Sequence, residues 1–252
     1  MVNSSQTENE KVQLQSFVEH LGDLRGVLVR SLLAVTLGFF GCFQYADKIL
    51  AFLKAPILEV LPKNHQQLYY FGLTEQFYTY MKVSLIASFF ITFPFLLLQL
   101  WNFISPALKP KERKLCVPFL FASILAFLLG FFCAYRWAIP YLFHFLIGFN
   151  QVGDEVPLIR LGDYITLVLQ LLLGSALVFE TPIILAVLGK LGIITAPFLK
   201  HIRPKAYVGL TVVAAVLTPT PDAFTMVLAL VPLILLYELG VGLVTLLSSK
   251  KN

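Results

Sequence analysis

The sequence predicts an all-α polytopic membrane protein, and three observations predict it. Of the 252 residues, 58% are hydrophobic and 13% are charged, against roughly 45–50% and 25% in an average globular chain. The mean hydropathy is +0.81. The apolar residues gather into runs that match a bilayer core about 30 Å thick, which takes about 20 residues of helix. A soluble domain lacks the polar surface to cover such an excess, and a disordered chain is far more polar. One membrane domain is expected over 1–252: a cytoplasmic amphipathic lead-in over 1–26, a bundle over 27–247 and a tail over 248–252.

Taken in order, the first span is expected from about Val27 to Tyr45 and the second from about Phe77 to Leu100. The third starts near Val117, reaches Trp137 and continues as helix to about Ile147. The fourth runs from about Tyr164 to Leu188. The fifth, Ala206 to Leu217, is too short to cross without local thinning. The sixth, Ala223 to Leu247, follows the turn Thr218-Pro219-Thr220-Pro221-Asp222. Pro219 and Pro221 break helix there, because proline lacks an N–H and restricts the residue before it. Asp222 is placed to cap the last helix, its carboxylate accepting free backbone N–H groups. The expected architecture is a concave six-helix cup with a short fifth and sixth helix. Between the first two spans, the segment around Ala55-Pro56-Ile57-Leu58 is expected to pack as a short capping helix.

Six spans put both termini on one side. Thirteen of the 19 Lys and Arg fall on that side, and the positive-inside rule makes it cytoplasmic. The net charge of +5 is thereby read as loop charge at a membrane, without nucleic-acid binding. The three cysteines, Cys42, Cys116 and Cys133, lie in or beside apolar runs and read as small hydrophobes. No phosphate-binding loop, HExxH, CxxC or GxSxG occurs, so no cofactor, metal or catalytic residue is expected.

The residues that call for explanation are carboxylates. Glu180, in Phe179-Glu180-Thr181-Pro182, falls within the fourth apolar run. A charge at the bilayer centre costs about 2.5–3.5 kcal/mol on insertion scales. Pro182 loosens the backbone nearby and favours a local polar pocket. Glu238 lies deep in the last run, where an internal Arg or Lys is its expected partner. Two cytoplasmic segments carry further acids. Glu19 and Asp23 share one face of an amphipathic helix, and Glu112 lies in a loop with four basic residues. Carboxylates beside exposed aromatic and apolar side chains suit a cationic peptide with an apolar continuation.

These residues resemble the TatC family, the C subunit of the twin-arginine protein translocase, over about Phe17 to Leu247. His20-Leu21-Gly22-Asp23-Leu24-Arg25 is similar to the family's HLxELR. Phe103, Pro106, Leu108, Glu112 and Arg113 fit its FxxPxLxxxER loop. Phe179 to Pro182, Leu191 to Ile194, Leu217 to Asp222, and Pro232 with Leu236-Tyr237-Glu238 fit the fourth helix and the last hairpin. The resemblance implies a receptor for twin-arginine signal peptides on folded precursors, working with the small single-span subunits TatA and TatB in an oligomeric complex. It implies transport driven by the proton-motive force, in a bacterial plasma (inner) membrane or a thylakoid. Asp23 and Glu112 would hold the two guanidinium groups, with Phe103, Arg25 and Glu19 shaping the patch. Glu180 would be a polar point inside the cup, and the last two helices would dock the partners. Two departures stand out: Asp23 replaces the family's usual Glu, and Met226, beside Thr225, replaces a frequent Gln. The competing readings are a proton-coupled small-solute transporter using Glu180 and Glu238, and an intramembrane enzyme, for which no nucleophile is apparent.

Overall fold

The computed structural model describes residues 3–61, 67–104, 116–149, 158–218 and 223–249, with side chains from Gly22 onward. Its elements are α1 (Asn3–Gln44), α2 (Ala46–Val60), α3 (Leu73–Ile104), α4 (Cys116–Cys133), a π-helical turn (Ala134–Ala138), α5 (Ile139–Phe149), α6 (Leu161–Val178), α7 (Thr181–Lys190), α8 (Ala196–His201), α9 (Arg203–Leu217) and α10 (Ala223–Ser249). Five stretches are long and apolar enough to cross a membrane: Gly22–Gln44, Leu73–Ile104, Cys116–Gly148, Leu161–Lys190 and Thr225–Leu247. At 15 residues α9 is about 22 Å long and falls short of the hydrocarbon core. The last helix is not short, contrary to expectation. It has 27 residues with Pro232 inside it, because proline does not end a helix where neighbouring helices satisfy the backbone it frees. The turn residues Pro219, Pro221 and Asp222 lie outside the described residues.

Two prolines shape the spans locally. Pro140 has no N–H for the carbonyl of Arg136, and the third span answers with a π turn in which the Ile139 N–H reaches Ala134 O. Pro182 likewise leaves Val178 without a partner. The fourth run is therefore not one helix: it breaks at Phe179–Glu180 and restarts with Pro182 in the first turn, where proline is tolerated. Gly192, with φ of 76°, then ends α7 in the left-handed conformation open to glycine.

The helices meet where side chains are small. A Cβ on Gly130 of α4 would lie 2.7 Å from Ser175 O and 2.8 Å from Ala176 Cα of α6. Ser175 Oγ donates to the Gly130 carbonyl across the same crossing, at 3.0 Å. Gly240 and Gly189 bring α10 against α7. Beside the Gly130 crossing, Phe93 of α3 stacks on Phe127 of α4 with ring centroids 3.5 Å apart.

One end of the bundle carries α2 as a cap. Pro56 lies inside α2 and has no N–H for Phe52 O. The Tyr135 hydroxyl takes that carbonyl at 2.8 Å, and the Tyr164 hydroxyl donates to Leu53 O at 2.6 Å. Residues 67–72 and 158–162 close the same end. Tyr69 N donates to Ile159 O and Leu161 N to Tyr69 O. Glu75, buried at the start of α3, accepts from the N–H groups of Phe71 and Gly162 and pairs with Arg160 Nε, each at 3.0 Å.

Two substitutions test the crossing. Gly130→Ala is expected to lower unfolding stability by about 1–3 kcal/mol, the scale of overpacking against atoms that cannot move aside. Gly41→Ala, with nothing within 4 Å of its Cβ, leaves it unchanged or slightly higher; thermal unfolding in detergent reads both.

Candidate functional site

The end opposite the α2 cap holds the first cluster. The Tyr80 hydroxyl of α3 bonds Asp47, just past the end of α1, while Gly38 of α1 sits against Ser88 and Thr92, so the two helices run antiparallel. From that contact, Asp23 is about 22 Å back along α1 and Phe103 about 20 Å forward along α3, at 1.5 Å per residue. Asp23 and Phe103 therefore lie at the same end. Asp23 and Arg25 are exposed and Phe103 is half-buried. Glu112 and Pro106 lie outside the described residues, as does the side chain of Glu19 within α1.

Glu180 occupies the break in the fourth run and is 6% exposed. The Ser123 hydroxyl of α4 bonds its carboxyl group, and the other oxygen, Oε1, has no partner among the described residues. The preceding residue, Phe179, lines an open cavity of about 680 Å³, and Glu180 does not. The irregular turn around Arg136 and Trp137, together with Ser175, Thr225 and Pro232, forms part of its wall. That wall is almost wholly apolar. Of the four residues expected as intramembrane polar or partner-contact positions, Thr225 lines the cavity, Met226 lies beside it in sequence, and Glu180 and Glu238 are not in its lining; Glu238 has instead the internal arginine partner expected for it. Glu238 receives Arg203 Nη2 at 2.5 Å and the Tyr207 hydroxyl at 2.6 Å. The neighbouring Tyr237 hydroxyl donates to Leu199 O at 2.9 Å, fixing α10 to α8.

Sequence reasoning missed Glu75 and Arg160, whose pairing spans two distant segments. It also missed Gln99, buried on α3 with Oε1 unpartnered among the described residues. A buried amide in an apolar run is the signal that would have drawn attention to it. Among the described residues, no group of three or more His, Cys, Asp or Glu is placed to hold a metal ion.

The Ser123–Glu180 contact yields a prediction. Ser123→Ala leaves a buried carboxyl group with no donor and is expected to cost about 1–3 kcal/mol of stability. Ser123→Thr, which keeps the hydroxyl, is expected to recover most of it in the same thermal-unfolding assay.

Comparison with known proteins places these features in context. The family described as Sec-independent protein translocase protein (TatC) matches residues 19–232. The Sec-independent protein translocase protein TatC of Koribacter versatilis is 35% identical over 245 residues, covering 96% of this chain and 90% of that one. Its counterpart in Aquifex aeolicus is 37% identical, covering 93% and 96%. TatCy of Bacillus subtilis is 35% identical, covering 92% and 89%. A crystal structure of the twin arginine translocase receptor TatC superposes with a TM-score of 0.81 at 36% identity, covering 91% of this chain and 99% of that one.

Proposed function

We propose a receptor for export signals bearing two consecutive arginines, because the chain belongs to the Sec-independent protein translocase (TatC) family. It is a receptor subunit of a protein translocase in a membrane, and not an enzyme. Its ligand, in this reading, is the twin-arginine signal of a folded precursor protein. The signal docks at the end of the bundle opposite the α2 cap, which faces the cytoplasm, as do both termini.

The observation that carries the reading is the common level of Asp23 and Phe103, on separate helices at one end. Glu112 follows Phe103 closely in sequence and supplies the second carboxylate. A carboxylate takes a planar guanidinium through two parallel charge-assisted hydrogen bonds. An ammonium matches it only as a point charge, so two arginines are preferred to two lysines. Phe103 and Arg25 border the carboxylates, and Glu19 adds to their field. Beyond the arginines, the signal's apolar segment finds the apolar cavity lined by Phe179 and Thr225. The small single-span subunits TatA and TatB pack along α9 and α10, and the complete complex is oligomeric. A bacterial inner membrane is the setting proposed, with the proton-motive force supplying the work. The small-solute transporter lacks comparable support, since Arg203 and Tyr207 already engage Glu238.

Binding of a fluorescent signal peptide to the purified chain tests this. Glu112→Gln and Asp23→Asn should each weaken binding by about 1–3 kcal/mol, the scale of a charge-assisted bond, and a twin-lysine signal should bind more weakly still. Glu180→Ala should leave the affinity in place. An affinity that stays flat across a salt series contradicts the pairing, because solvent-exposed charges are screened by salt. Solute uptake by proteoliposomes of this chain alone would favour the transporter.

A further inference from the structure

A second concavity lies on the outside of the bundle, away from every residue used above. It is a groove of about 610 Å³ between α1 and α3, lined from α1 by Leu32, Val35 and Phe39 and from α3 by Tyr78, Lys82 and Leu85. The wall is almost wholly apolar. Leu32 is 69% exposed and Tyr78 60%, so the groove opens toward lipid. Lys82 is its one ionisable cation, and it sits inside a membrane span.

The chemistry around Lys82 is unbalanced. Its ammonium donates to the Thr166 hydroxyl of α6 at 3.1 Å, a neutral partner. No carboxylate among the described residues forms an ion pair with it. Among the described residues, Glu75 pairs with Arg160, Asp163 lies 4.0 Å from Arg160 and Asp47 bonds the Tyr80 hydroxyl, while Glu59 forms no ion pair with Lys82. A lysine carries three donors, and one of them is used. An ionised group in a span is costly unless it is paired or snorkels to the interface.

Depth decides what can reach it. With 32 residues, α3 is about 48 Å long. Centred on a core about 30 Å thick, it extends about 9 Å beyond each face. Lys82 lies about 13 Å from Leu73, so its Cα is about 4 Å below the boundary on the α2 side. A lysine stem spans that depth and carries the ammonium to the level of lipid phosphates. Below it, the groove continues along the helices past Leu85 and Phe39 to Val35 and Leu32.

We propose that this groove binds one anionic phospholipid from the leaflet on the α2 side. Its phosphate pairs with Lys82 beside the Thr166 hydroxyl, and one acyl chain lies along Leu32, Val35, Phe39 and Leu85. Charge selects the occupant. An ammonium at phosphate depth, without an ion pair among the described residues, complements an anionic headgroup, and the apolar channel beneath it complements the chain. A neutral single-span helix would leave the ammonium without an anion.

Native mass spectrometry of the detergent-purified full chain, titrated with phosphatidylglycerol or phosphatidylcholine, tests this. The unaltered protein should retain phosphatidylglycerol about fivefold better, the factor expected for one lysine at an anionic surface. Lys82→Gln should abolish that preference and Lys82→Arg should keep it. Leu85→Trp, which fills the channel, should lower retention of both lipids. Thermal unfolding of each variant separates lost binding from lost fold. A photoreactive side chain at Leu32 should label lipid in membranes. A preference that survives Lys82→Gln in a folded protein overturns the proposal, and so does labelling of a protein partner at Leu32 in place of lipid.

Discussion

In hydrocarbon, a backbone carbonyl or N–H that loses its helical partner has no water to turn to, and much of this molecule's form follows from that scarcity. Its prolines create the vacancies, and each is met differently. In α2 the Phe52 carbonyl that Pro56 leaves free is taken by the Tyr135 hydroxyl of the third span. At Pro140 the helix widens by a π turn. At Pro182 it breaks and starts again. The first response ties the cap to the bundle. The second puts irregular backbone beside the cavity. The third places buried Glu180 next to cavity-lining Phe179, so one break supplies both a buried carboxyl group and part of the cavity wall.

The same scarcity separates the acids by task. Glu75 is saturated by two backbone N–H groups and Arg160, and its job is architectural. Glu238 is likewise paired, by Arg203 and Tyr207. Asp23 is exposed at the end of the bundle, in reach of an incoming cation. A recognition surface built from charge belongs where water can also reach it, because the empty site must be solvated between visits.

The sequence made the spans legible through hydropathy and placed the short α9, the helical cap after the first span and the disturbance at Pro182. Those signals are local: run length, proline and its neighbours. What escaped it is long-range. Glu75 and Gly162 are 87 positions apart, and no periodicity connects them. The close approach at Gly130 depends on which face α6 presents, which a run of apolar residues does not record. The last helix was expected to be short because of the tight turn before it, although its apolar run, Ala223 to Leu247, already had nearly the length of the helix that forms. At the candidate site, the shared level of Asp23 and Phe103 emerged only once the α1–α3 contact gave the two helices a common origin.

The fastening of the α2 cap also bears on how the chain is made. Two of its anchors come late: Tyr135 is in the third span and Tyr164 opens the fourth. As the ribosome feeds the chain into the bilayer, α2 emerges after the first span with none of these groups yet synthesised. The second span brings Tyr80 to Asp47, but the two hydroxyls that take the α2 carbonyls arrive only with the third and fourth spans. Biogenesis of this end is therefore completed from the carboxyl side, and a nascent chain stalled before Tyr164 carries an unfinished cap.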